Sequence, residues 1–243
     1  MTEASIRWAC AGRSDRGAKR KINEDSILVR TEAGIWLAAD GMGGHEAGDV
    51  ASRMVAEAVA RVRVEGKFSQ VVDRVEDALV QVNHDIREHS ARAFGGRTMG
   101  STVVSMVACP RLGVCLWAGD SRLYRFRDGG LDQISRDHSE VQELLDRGLL
   151  TPEEAAVHPH SNVITRAVGG APELYLDVMI FDIRAGDIFV LCSDGLYNEL
   201  NHDEIRQAIA GDVDATADRL LQLALAKGAR DNVSLVVVRA EAA

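Results

Sequence analysis

Apolar residues along the chain repeat with two different periods, and the alternation between them predicts the order of elements. Short β-branched or apolar runs at Ile6–Ala11, Ser26–Arg30 and Ile35–Ala39 predict three strands, the last two separated by turn-forming residues around Gly34. The period then changes. Val50, Met54, Val55, Ala58 and Val62 share one helical face, which predicts a helix beginning after Gly48. Val72, Val75, Leu79, Val82 and Ile86 repeat at steps of three and four, which predicts a second helix over about Ser69–Arg92 with a core-facing stripe.

Strand patterns return at Ser101–Ala108, Val114–Ala118, Leu123–Arg127 and Leu131–Ile134. The connections Pro110-Arg111-Leu112-Gly113 and Asp128-Gly129-Gly130 have turn chemistry, so these strands read as consecutive antiparallel hairpins. Segment 135–170 is mixed. It holds a short helix at about Ser139–Arg147 and a second start at Thr151-Pro152-Glu153-Glu154, with Thr as cap, Pro at the first helical position and Glu three residues on. A long mixed segment between strands has the character of a lid or binding loop. Strands follow at Tyr175–Asp182 and Ile188–Cys192. Helices follow at His202–Ala210 and Asp214–Lys227, the latter with Ala217, Leu220, Leu221, Ala224 and Leu225 as its buried stripe. Val233–Arg239 reads as a last strand. Strands clustered apart from paired helices predict an α+β fold with helices outside two antiparallel sheets.

Composition narrows the class. With 243 residues and no linker-like or repetitive tract, the chain reads as one domain, 1–243. Its net charge of −9 opposes binding to nucleic acid or an anionic membrane surface, though a local basic pocket remains compatible with it. Cys10, Cys109, Cys115 and Cys192 show no C-x-x-C spacing, and three of them flank or sit in apolar stretches. That argues against a zinc site or disulfide framework and for a reducing, cytoplasmic compartment. Met1–Trp8 lacks a basic start followed by an apolar run, and no apolar stretch reaches the ~18 residues of a membrane span.

The chemistry lies in the carboxylates. Apolar runs lead into Asp40-Gly41, Gly119-Asp120-Ser121 and Ser193-Asp194-Gly195, Asp231-Asn232 adjoins the last strand, and Asn23-Glu24-Asp25-Ser26 precedes another strand. Asp beside Gly or Asn is an ordinary turn former. Five such positions at strand ends are more than turns require, and strand ends on one edge of a sheet converge. Converging carboxylates repel and lose hydration unless a cation pairs them. An all-oxygen set selects hard ions, and several Asp around one point suit two of them about 3.5–4 Å apart with an activated water between. Gly41, lacking a Cβ, would let a backbone carbonyl approach an ion. Arg20, three residues before Asn23, supplies a group able to grip two phosphate oxygens.

These motifs resemble the protein phosphatase 2C family, the metal-dependent (PPM) protein phosphatases, and its bacterial branch in particular. The likeness runs in order through Arg20-x-x-Asn23-Glu24-Asp25-Ser26, Ala39-Asp40-Gly41-Met42-Gly43-Gly44-His45 with Gly48, and Gly100-Ser101-Thr102. It continues through Ala118-Gly119-Asp120-Ser121-Arg122, Ser193-Asp194-Gly195-Leu196 and Asp231-Asn232-Val233-Ser234. The resemblance implies a four-layer α-β-β-α sandwich with its site in a cleft at one end of two sheets. It implies two core Mn²⁺ or Mg²⁺ ions held by Asp25, Asp40, the Gly41 carbonyl, Asp194 and Asp231. Glu24 would act through a water, and Asp120 with Asp194 would hold a weaker third ion. Arg20 would hold the phosphate of a phosphoserine or phosphothreonine protein, and about 135–170 would be a flap that helps choose substrates. Met42 stands where some members carry a histidine, and no proton-transfer role passes to His45. Of the other histidines, His138 and His160 are the ones expected to approach substrate.

The resemblance further implies a stand-alone monomer that reverses a bacterial eukaryotic-like Ser/Thr kinase, or serves type VI secretion or an anti-sigma-antagonist switch. Two other classes compete. An inactive relative that only binds phosphoproteins or metals would have lost a ligand, and none is lost. A two-metal nuclease would carry a basic stripe, which the charge disfavours.

Overall fold

The strand Ile188–Cys192 is apolar and buried at all of its positions, so both of its faces need cover, and the fold supplies it with layers. The computed structural model describes residues 6–43, 46–93, 95, 98–156 and 158–243; Gly44 and His45 lie outside them. The strands are β1 (Ile6–Asp15), β2 (Asp25–Arg30), β3 (Ile35–Met42), β4 (Gly100–Ser101), β5 (Val103–Ala108), β6 (Leu112–Ala118), β7 (Arg122–Arg127), β8 (Gly130–Gln133), β9 (Asp177–Asp182), β10 (Ile188–Cys192) and β11 (Val233–Ala242). The helices are α1 (Glu46–Ala60), α2 (Phe68–Ala93), α3 (Glu140–Asp146), α4 (Pro152–Ala156), α5 (Asp194–Tyr197), α6 (His202–Ala208) and α7 (Val213–Ala226).

One antiparallel sheet has the order β1-β11-β10-β7-β8. The other has the order β2-β3-β5-β6-β9, with β4 paired to β3. The period-2 alternation of each strand divides its side chains between two cores. In the first sheet Val190, Cys192, Leu235 and Val237 pack under α6 and α7, whereas Phe189, Leu191, Val236 and Val238 face the second sheet. There they meet Trp36, Ala38, Val104 and Met106. The opposite face of β3, with Ile35, Leu37 and Ala39, packs under α1 and α2. The result is the four-layer α-β-β-α sandwich. Trp36 and Phe189 are wholly buried between the sheets, and truncating either to alanine would cost about 3–5 kcal/mol.

Several boundaries differ from the sequence pattern for physical reasons. β1 runs four residues past Ala11 because Gly12–Asp15 pair with Val233–Val236, and backbone pairing on an edge strand needs no apolar side chain. The expected strand 101–108 breaks at Thr102, whose Oγ1 accepts from the Asp40 amide. β9 begins at Asp177, leaving Tyr175 exposed. On α2 the inner face carries Val71, Val75, Leu79, Val82, Asn83 and Ile86, with Val72 only half-buried at its margin. Helix α1 starts at Glu46, ahead of Gly48. Among the described residues, segment 135–170 contains α3 and α4 and no strand longer than a single bridge pair. Thr151 caps α4 reciprocally with Glu154, as the sequence predicts.

Candidate active site

The two sheets open at one end, and the strands deliver their acidic residues there. Asp25 opens β2 and Asp40 lies near the end of β3, and the two are direct partners across the ladder. Asp120 follows β6. Asp194 begins α5, two residues after β10, and Asp231 stands two residues before β11. The carboxylates therefore come from both sheets and face one another across the cleft, where the sequence argument had placed them on one sheet edge.

A cavity of about 260 Å³ is lined by Arg20, Glu24, Asp40, Gly41, Asp120, Asp194 and Asp231, together with Met42, Thr102, Asn162 and Asn232. Asp25, the cross-strand partner of Asp40, is only 8% exposed, its Oδ2 accepting from Ser193 Oγ at 2.7 Å. Every other site residue expected from the sequence lines this cavity. A second cavity of about 820 Å³ adjoins it beneath α3 and α4, sharing Arg20, Asp120, Asn162 and Asp231.

The electrostatics show what this end of the molecule lacks. Burial, reinforced by neighbouring carboxylates, pushes Asp25 up to about 6 and Asp120 and Asp194 to about 7, and Asp40 well above the ordinary carboxylate range. Glu24 is also raised, by burial first. After burial, the charges of Asp25, Asp194, Asp120 and Asp231 add to the rise at Asp40. Among the described residues the side chains are not drawn into a closed ligand cluster. Three carboxylate oxygens, Glu24 Oε1, Asp25 Oδ1 and Asp194 Oδ1, are buried without any hydrogen-bond partner. Buried carboxylate oxygens are otherwise satisfied by donors or cations. The donor set is entirely oxygen. Both properties fit hard divalent ions.

The second ring of residues holds these groups in place. The Asp40 carbonyl accepts from Thr102 N at 2.8 Å and from Ser101 Oγ at 3.0 Å. The Gly41 amide donates to Glu24 O at 3.0 Å, and a Cβ at Gly41 would collide with the carbonyls of Gly48 and Glu24, so only glycine fits this approach. Asn232 ties three segments together: its Oδ1 accepts from Glu24 N, and its Nδ2 donates to the carbonyls of Arg16 and Ile22.

The Asp120 turn is gripped from the base of segment 135–170. His138 Nδ1 accepts from Gly119 N at 3.1 Å, and His138 N donates to Gly119 O at 2.9 Å. Tyr197 Oη donates to Asp120 O at 3.0 Å. Arg122 lies 3.5 Å over the Tyr197 ring and forks onto both oxygens of Asp137. The His138 ring stacks on Trp117, and its Nε2 lies 3.3 Å from Asp177 Oδ2 without hydrogen-bond alignment. Burial lowers its pKa.

His138, expected to approach substrate, is therefore a buried brace. His160 is exposed and pairs with Glu140 at 2.8 Å. Pattern reading gave no role to Ser193, Asn232, Thr102 or Tyr197. The signal available for the first two was position, since each is the immediate chain neighbour of a candidate carboxylate.

A cleft between two helix-covered antiparallel sheets, lined by Arg20 and by carboxylates with buried, unpartnered oxygens, is the arrangement expected of a metal-dependent phosphoester hydrolase of the α-β-β-α class. Comparison with known proteins gives the family. Residues 11–233 match the family described as protein phosphatase 2C. The chain is 40% identical over 239 residues to the serine/threonine protein phosphatase PstP of Mycobacterium tuberculosis, covering 98% of this chain and 46% of PstP; it spans about half the length of that relative. It is 41% identical to the solved structure of PppA, a key regulatory component of T6SS in Pseudomonas aeruginosa, with a TM-score of 0.90 and coverage of 98% and 100%. It is 34% identical to the PstP catalytic domain in complex with two manganese ions, with a TM-score of 0.85 and coverage of 98% and 100%. The chain belongs to the protein phosphatase 2C family, whose members use Mn²⁺ or Mg²⁺.

Proposed function

We propose that this chain is a metal-dependent serine/threonine protein phosphatase. The observation that carries the reading is the set of converging carboxylates, with buried, unpartnered oxygens on Glu24, Asp25 and Asp194, at a cavity that also holds Arg20. Asp25, Asp40, Asp194, Asp231 and the Gly41 carbonyl would hold two Mn²⁺ or Mg²⁺ ions, with Glu24 acting through water and Asp120 with Asp194 at a weaker third. Bound there, the ions would supply an activated water for in-line attack at phosphorus and offset the charge that develops.

The chain's own residues bind and orient the ester. Arg20 Nη2 donates to Asp231 Oδ2 at 2.6 Å, which aims the guanidinium across the cavity and leaves most of its five donors for phosphate oxygens. Side-chain exposure of 49% keeps it reachable. Segment 135–170 forms the roof of the adjoining cavity and would act as a flap over bound substrate, so that the whole chain works as one catalytic domain.

The substrates would be proteins phosphorylated on Ser or Thr, and the partner a eukaryotic-like Ser/Thr kinase whose product the enzyme resets, acting as a cytoplasmic monomer. Likeness to a T6SS component is a reason to try phosphoproteins of such a system among the first substrates. No described helix is long and apolar enough to cross a membrane. An inactive binding relative is disfavoured because every expected carboxylate is present.

The test is hydrolysis of p-nitrophenyl phosphate and of a phosphothreonine peptide by wild type and Arg20→Ala, with Mn²⁺ and with EDTA. The reading expects turnover that EDTA abolishes, and a raised KM in Arg20→Ala with a smaller change in kcat. Folded, metal-loaded wild type that turns over neither ester would overturn it.

A further inference from the structure

The loop between β1 and β2, residues 16–24, carries four cations, Arg16, Lys19, Arg20 and Lys21, against one carboxylate, Glu24, in a chain of net charge −9. Asp15, the last residue of β1, spends an oxygen on the Gly17 amide. Arg16, Lys19 and Lys21 are exposed, and none makes an ion pair among the described residues. Many arginines elsewhere hold a carboxylate, among them Arg7, Arg61, Arg127, Arg136 and Arg184. The three free cations of this loop flank Arg20, which lines the cleft.

The loop's position there is fixed by backbone contacts. Ala18 N donates to Ala229 O at 2.9 Å, and Asn232 Nδ2 donates to Arg16 O and Ile22 O at 2.9 and 3.0 Å. Gly17 takes φ +72°, and a side chain there would strike the Asp231 carbonyl. The basic loop is thus clamped to the loop that carries Asp231. That second loop adds Arg230, 79% exposed and held only by a long 3.5 Å contact to Glu199. Arg20 and Arg230 both line the 820 Å³ cavity. Across it, α3 and α4 contribute Val141, Gln142, Leu145, Pro152 and Ala155.

We infer that Arg16, Lys19, Lys21 and Arg230 form a docking rim for acidic residues, or further phosphate groups, that flank the phosphorylated Ser or Thr of the substrate protein. This rests on the phosphatase reading and names its substrate class. Unpaired, exposed cations around a cleft raise the encounter rate and weight KM for an anionic chain, and salt screens the effect within a Debye length. The segment would lie with its acidic side over the 16–21 loop. Arg20 is set apart from the rim because it grips the phosphate under attack.

The experiment compares wild type with the triple variant Arg16→Gln/Lys19→Gln/Lys21→Gln on three phosphothreonine peptides of equal length with acidic, neutral or basic flanks, and on p-nitrophenyl phosphate as the substrate without flanks. At low salt, wild type is expected to prefer the acidic over the neutral peptide by about tenfold in kcat/KM, mostly through KM, and to lose most of that preference at high salt. The triple variant is expected to lose the preference while hydrolysing p-nitrophenyl phosphate at the wild-type rate. Equal wild-type rates on acidic and neutral peptides, or a preference that survives in the variant, would overturn the rim. Loss of p-nitrophenyl phosphate hydrolysis in wild type would instead overturn the phosphatase reading beneath it.

Discussion

Two groups of buried acids in this molecule are built on opposite principles. Just before β10, the central strand of the first sheet, Asp187 is 1% exposed, and Arg127 grips it with Nε and Nη2 at 2.7 and 2.6 Å while the Arg184 amide adds a bond at 2.8 Å. Its counter-charge comes from the chain. At the cleft, Asp25 and Asp120 are 8% and 7% exposed, Asp40 and Asp194 stand beside them, and no arginine forks onto any of the four. Arg20 reaches only Asp231 closely, with Glu24 at 4.0 Å. A buried carboxylate that serves structure carries its own cation, whereas one that serves chemistry leaves its oxygens for a cation from solution. Burial depth alone does not separate the two classes; the partner does.

The sharpest way to break that contrast is to remove one member of each group. Asp194→Ala should lower kcat on p-nitrophenyl phosphate by about 10⁴-fold, or roughly 5 kcal/mol of barrier. It should leave the metal-free protein at least as stable as wild type, because a buried like charge has gone. Asp187→Ala should do the reverse. Chemical denaturation should show a loss of about 3 kcal/mol, since Arg127 loses its buried partner, while activity per folded molecule stays close to wild type. Loss of activity without loss of stability in Asp187→Ala would erase the distinction.

A smaller effect is expected at the brace of the Asp120 turn. His138→Ala should raise the Mn²⁺ concentration for half-maximal rate about tenfold, as outer residues that orient metal ligands commonly do. Steady-state kinetics over a Mn²⁺ series reads it, and a His138→Gln variant that retains an acceptor for the Gly119 amide should recover part of the loss.

The smallest expected effect concerns pH. Asp25, Asp120 and Asp194 are raised to about 6 to 7, so between their unfolded values and these values the native protein holds protons that the unfolded chain has released. The stability they contribute is present at low pH and is lost as pH rises through about 6 to 7. EDTA-treated protein should therefore melt a few degrees higher, about 4 °C, near pH 5 than near pH 8, in a scan of Tm against pH. Saturating Mn²⁺ should flatten or invert that trend, because the ion takes the place of the protons.

Much of this was legible in the residues, for reasons that differ by element. Strands β3, β10 and β11 announce themselves because both of their faces are buried and the runs are continuously apolar. The carboxylates were legible because each adjoins such a run. Three features were not. Helix α5 is four residues long, too short for a 3.6-residue period to register. The Arg20–Asp231 contact joins residues 211 apart in the chain, brought together by the clamps through Asn232 and through Ala18 and Ala229. His138 sits in a polar stretch that reads as surface, yet stacking on Trp117 and bonding to the Gly119 turn bury it. Patterns report which faces are buried; they do not report which polar group a distant loop will cover.

The most direct test is a calorimetric titration of EDTA-stripped protein with Mn²⁺, with hydrolysis of a phosphothreonine peptide measured at each step. Two tightly bound ions per chain are expected, with turnover absent at the start and rising in parallel with occupancy of the pair. Turnover that is already present in EDTA, or two ions bound with no turnover of the peptide, would contradict the assignment of these carboxylates as the catalytic metal centre.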